Sequence, residues 1–197
     1  QLDGNLPKAT DPKFDIKQMM HVGHEFSQSV TTTLSDKTHV PRLQFASLRT
    51  PWVQKKLAEN DINIPEMLRL IKMCEALPWR IHHHDFSRDN ALIQYTEPKA
   101  TLKVIDIGSL TYAPLGADLM LFARASLLGA QHQAVFLSAA DEVHAITGID
   151  VSLLRISGLM QAAERSVVKA INKEADKFLV QAGTLINLAK NELSQQD

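Results

Sequence analysis

Two short runs rich in branched apolar residues, "ALIQY" and "LKVIDI", flank a proline-containing "TEPKA" in a chain that otherwise reads as helix. Runs of that length and composition, separated by a turn signal, predict a β-hairpin. A lone two-stranded hairpin is marginal by itself. It therefore needs helices as a platform, and in return it holds a short loop rigidly at their surface. The fold class expected is mainly α with a small β-hairpin, an α+β arrangement.

The helices follow from the spacing of apolar residues. Met19, Val22, Phe26, Val30 and Leu34 recur every three or four positions and predict a helix over 13–34, with Gly23 a cost inside it. Residues 1–12 read as a leader or linker, and Ser35 to Thr50, which contain Pro41, as mostly loop. Pro51 opens a short helix. Asn63 and Pro65 open another, with Met67, Leu70, Ile71, Cys74 and Leu77 on its buried face and Pro78 as its stop. From Gly116 onward come four helical stretches, with Gly129 and Gly148 as stops for the first two. One helical body over 13–197 results, with the hairpin and the loop before it at 80–110.

Composition narrows the partners. Apolar residues make up 45% of 197, enough for one packed core. A formal net charge of −1 gives no basic field for nucleic acid. The single cysteine, Cys74, excludes an internal disulfide and reads as a buried small hydrophobe. No apolar run reaches the roughly 18–20 residues that span a bilayer, and the N-terminus lacks a signal pattern. A cytoplasmic location is the expectation.

The chemistry concentrates in "RIHHHDFSRDNALI". Three adjacent histidines invite a zinc reading. Neighbours on an extended segment point to opposite faces, so at most His82 and His84 share one, and no cysteine stands near. The acidic pattern is more specific. His83, Asp85 and Asn90 form H-x-D-x-x-x-x-N, Asp106 closes the strand "VIDI", and Asp118 opens the following helix. Phosphoryl transfer asks a protein for a carboxylate beside a hydroxyl and for oxygen ligands to magnesium. Those residue types supply both.

"HHHDFSRDNALI…LKVIDIGSL…GADLMLFAR" resembles the helical C-terminal lobe of the aminoglycoside phosphotransferase and choline kinase superfamily, a protein-kinase-like fold. The resemblance implies an ATP- and Mg²⁺-dependent phosphotransferase acting on a hydroxyl of a small molecule. Asp85 would be the catalytic base. Asn90 and Asp106 would bind the metal and, through it, the nucleotide. Asp118 would brace the loop, and His83 would be scaffold beneath it.

Three departures from the family pattern stand out. His84 replaces a small glycine. "SRD" replaces a proline-glycine pair before Asn90, which brings in Arg88, either a phosphate contact or a partner for Asp89. Nothing before His82 reads as the nucleotide lobe of the family, and no G-x-G occurs. That lobe is expected elsewhere in the same protein, or is lost.

Two other classes stay open. One is a non-catalytic kinase-like binding or regulatory module. The other is a helical interaction domain whose motif is coincidental. His21 and His24 read as surface or partly buried residues. Trp52 and Trp79, each at a helix end, read as anchors rather than as a cage for a quaternary amine. The acidic residues of the C-terminal helices define no acceptor pocket.

Overall fold

The computed structural model describes residues 16–34, 40–83, 91–96, 99–104, 110–173 and 175–194. The leader at 1–12 and the candidate residues His84, Asp85, Arg88, Asn90 and Asp106 lie outside the described residues. Seven helices are described: α1 (Ile16–Thr33), α2 (Pro51–Ala58), α3 (Ile64–Glu75), α4 (Met120–Ala125), α5 (Ala130–Thr147), α6 (Val151–Lys173) and α7 (Lys177–Ser194). Four strands lie between α3 and α4: β1 (Trp79–His83), β2 (Ala91–Thr96), β3 (Lys99–Val104) and β4 (Leu110–Pro114). The mainly helical architecture with a small hairpin is as expected.

α6 is the axis of the body. It packs against α3, α4, α5, α7 and the 3₁₀ turn Ala117–Leu119. Its buried positions include Ser157, Gly158, Ala162, Ala163, Ser166 and Ala170, small residues that let neighbours approach closely. A Cβ on Gly158 would sit 2.9 Å from the Leu119 Cβ. Larger side chains from the surrounding elements fill the layers: Phe45, Leu48, Leu57, Met67, Leu70, Ile71, Leu119 and Met120 are all fully buried. Each contributes about 1.5–3 kcal/mol by leaving water.

One carboxylate stands inside this core. The Glu164 oxygens accept the backbone N–H groups of Ser47 and Leu48, at 2.9 and 3.0 Å. Those bonds and the burial of Phe45 offset the cost of Phe45 at φ 50, a conformation that disfavours a bulky side chain. The segment expected as mostly loop thus delivers Leu43, Phe45 and Leu48 to the core.

Asn63 caps α3 by accepting the Glu66 N–H at 3.1 Å. The buried face of α3 is the expected one, Cys74 included. Burial pushes the Cys74 thiol up to about 12, so it remains an inert apolar group. Gly148 ends α5 at φ 70, its N–H on the His144 carbonyl at 2.8 Å.

Several expectations need correction. The inward face of α1 is Met19, Met20, Gly23 and Ser27. Val22, Phe26 and Val30 lie half-buried at its edge, and Leu34 is 37% exposed. Contacts with α5 and β1 choose which row turns in, and those partners are remote in sequence. The first stretch after Gly116 is not one helix but α4 between two 3₁₀ turns, Ala117–Leu119 and Ser126–Leu128. Trp52 is 49% exposed rather than set into the core.

Candidate functional site

The expected hairpin is present, but its second strand begins at Lys99 instead of Leu102, so Thr96, Lys99 and Ala100 of the expected turn lie in the ladder. β2 and β3 pair antiparallel from Ala91↔Val104 to Thr96↔Lys99. A second ladder was not expected. β1 pairs antiparallel with β4, from Trp79↔Pro114 to His83↔Leu110. "WRIHH" lacks the alternation of a strand. It becomes one because neighbours satisfy its backbone and bury both of its faces. Thr31 on α1 accepts the Ile81 N–H at 2.8 Å. Beyond β4, the Tyr112 N–H reaches the Pro41 carbonyl at 2.8 Å, and the Leu43 N–H reaches the Tyr112 carbonyl at 3.0 Å. Ile81 and His82 are fully buried, and His83 is 2% exposed.

The two ladders frame the motif. His83 and Leu110 are partners at the end of one ladder, and Ala91 and Val104 at the end of the other. Asp85 and Asn90 fall in sequence between β1 and β2. Asp106 falls between β3 and β4.

At the base of this frame is a buried pair, His82 with Asp118. The His82 Nδ1 donates to Asp118 Oδ2 at 3.0 Å, and the carboxylate is 13% exposed. The linear order "GADL" explains how Asp118 gets there. Gly116 holds φ 96, and its carbonyl accepts the Leu119 N–H at 3.0 Å to close the 3₁₀ turn. A Cβ at Gly116 would meet the Ser157 Cβ at 2.8 Å. From α6, Ser157 Oγ donates to the Leu115 carbonyl at 2.6 Å, and Gln161 Nε2 donates to the Pro114 carbonyl at 3.3 Å. Ala117 and Leu119 enter the core, which leaves Asp118 aimed at β1.

Histidines crowd this carboxylate. Burial pushes the Asp118 carboxyl up, but the charge and hydrogen bond of His82, with His24 and His83 beyond, outweigh it. The group stays below its ordinary value of 3.8. His24 on α1 lies 3.1 Å from Arg80 Nη1 and is held below its ordinary 6.5, chiefly by burial and then by Arg80. The neutral His24 is therefore the form the fold prefers. Stability from it is complete above pH 6.5 and falls as pH drops below that value. The Asp118 contribution is complete above pH 3.8 and is lost below it. Urea midpoints across pH should fall in two steps, and His24→Gln should remove only the upper one. A profile that His24→Gln leaves unchanged would count against this assignment.

Among the residues flagged from sequence, His21 is exposed and His24 half-buried, as expected. His83 is buried with its ring tilted against Phe26, at 6.2 Å between centroids. Trp79 carries a cation already, the chain's own Arg42, 4.5 Å from the ring centre. Its Nε1 donates to the Glu75 carbonyl at 3.0 Å, which ties it to the end of α3. Among the described residues, no group of three or more His, Cys, Asp or Glu is placed to hold a metal ion. No described helix is long and apolar enough to cross a membrane. Sequence reasoning missed the role of His82. The signal was a histidine at a strand position beside a motif, with an aspartate following a glycine downstream.

No protein-family model and no curated protein matches the chain. Among solved structures it is similar to a microcompartment-associated aminopropanol kinase, at 15% identity and a TM-score of 0.47, over 96% of this chain and 66% of that one. It is also similar to the spectinomycin phosphotransferase APH(9)-Ia in complex with ADP and spectinomycin, at 15% identity and a TM-score of 0.40, over 94% of this chain and 69% of that one. The chain thus spans about two thirds of the length of each.

Proposed function

We propose that this chain is the helical lobe of an ATP- and Mg²⁺-dependent phosphotransferase that acts on a hydroxyl of a small molecule. One observation carries the reading. The H-x-D-x-x-x-x-N segment departs from His83 and returns at Ala91, while the Asp106 segment departs from Val104 and returns at Leu110. Each departure is the ladder partner of a return. The two acidic segments thus start and finish at the ends of two short paired ladders mounted on the helices.

In this reading Asp85 orients the acceptor hydroxyl and takes its proton. Asn90 and Asp106 offer an amide carbonyl and a carboxylate, hard oxygen donors that suit Mg²⁺ better than a softer metal. Bound there, the ion would neutralise charge on the nucleotide phosphates. His82 and Asp118, buried below, fix the strand from which Asp85 follows. Arg88 is a further candidate contact for a phosphate.

Calorimetric titration of Mg·ATP into the protein together with its expected nucleotide lobe tests the reading. Wild type should bind, and Asp106→Ala should weaken binding by at least about tenfold, roughly 1.4 kcal/mol. Equal affinities would remove Asp106 from the site. No binding by either would favour a non-catalytic kinase-like module, for which a partner search would follow.

A further inference from the structure

A histidine is a poor choice for a fully buried strand position unless its polar atoms are used. Leucine or isoleucine would fill the space without desolvating a ring nitrogen. His82 uses Nδ1 on Asp118, and its Nε2 is buried without a hydrogen bond. The ring is therefore kept for one bond, at the expense of the other nitrogen. The hydrogen bond also selects the tautomer, with the proton on Nδ1.

That bond joins two distant parts of the chain. Asp118 belongs to the turn that Ser157 and Gln161 fix to α6 through the carbonyls of Leu115 and Pro114. His82 belongs to the last two residues of β1, beside the His83↔Leu110 pair. Facing the pair are His24 from α1, His83 and Arg80 from β1 itself, and Thr111 across the ladder. His21 lies behind His24. Asp118 is the carboxylate that the described histidines of this cluster share.

We propose that His82 acts as a lock: its Nδ1–H, held by Asp118, ties the end of β1, whose last residue His83 opens the H-x-D motif, to the α6-anchored turn. The importance of Asp85 rests on the phosphotransferase reading. The lock itself rests on the geometry of His82 and Asp118, so the two can fail separately.

Amide hydrogen exchange tests the lock without nucleotide. His82→Leu keeps apolar volume and removes the donor. It should speed exchange at residues 81–83 and 110–112 by about tenfold or more, while amides of α6 and α7 keep their wild-type rates. His82→Asn sacrifices volume but keeps an N–H donor near the Nδ1 position, and it should restore slow exchange. If His82→Asn exchanges as fast as His82→Leu, or if α6 and α7 speed up equally, His82 is packing and the proposal is overturned. The ¹⁵N spectrum of the wild-type ring needs no variant. A proton on Nδ1 supports the lock, and a bare Nδ1 overturns it. Loss of Asp85-dependent transfer bears on the functional reading alone.

Discussion

Asp85→Asn should lower phosphoryl transfer by roughly 10²–10⁴-fold, the range that a positioned general base contributes. The melting temperature should stay at its wild-type value. The amide is nearly isosteric with the carboxylate and can still accept a hydrogen bond, so orientation of the hydroxyl survives in part. It cannot take the proton as the phosphorus–oxygen bond forms. The assay is transfer from γ-labelled ATP to a panel of amino alcohols, aminoglycosides and sugars, with Mg²⁺ present. Variant turnover near that of wild type would remove Asp85 from the base role. A wild-type chain that binds Mg·ATP and transfers to none of these would point to an acceptor outside the panel's chemistry.

The motif that contains Asp85 is a reading of the sequence alone, because Asp85 lies outside the described residues. The motif is a string of fixed spacings, and reading it requires no knowledge of packing. The hairpin was legible for the same reason, because β2 and β3 are local and rich in branched residues. So was the buried face of α3, which repeats the helical period through Met67, Leu70, Ile71 and Cys74.

What was not legible depends on residues far apart. β1 contains Arg80, His82 and His83, none a strong strand former, and its pairing with β4 is settled by Thr31 and by both buried faces. The His82–Asp118 bond spans 36 positions and forms only once β1 and the Gly116 turn are both in place. In α1, Val22 and Met20 fit an amphipathic pattern equally well, and only contacts with α5 and β1 decide between rows. Resemblance to a family suggested a bracing role for Asp118. It said nothing of His82, which carries the contact.

Gly116→Ala should cost about 2–5 kcal/mol and lower the melting temperature by roughly 10 °C, at the 2–4 °C per kcal/mol usual for this chain length. Two effects add. At φ 96 an alanine suffers the left-handed penalty, about 1–2 kcal/mol. Its Cβ would also lie 2.8 Å from the Ser157 Cβ and 3.0 Å from the Leu154 carbonyl oxygen. The second obstacle is helix backbone, which cannot rotate aside, so overlap adds about 1–3 kcal/mol. Gly148→Ala separates the two. Gly148 has φ 70 and nothing within 4 Å of its would-be Cβ, so it reports the conformational penalty alone. The difference between the variants, read from urea midpoints at constant slope, isolates the contact with α6. Equal losses would mean that the Gly116 turn can back away from Ser157, and that α6 does not fix Asp118. A larger loss at Gly116, with faster exchange at residues 81–83, would tie the position of α6 to the strand that precedes Asp85.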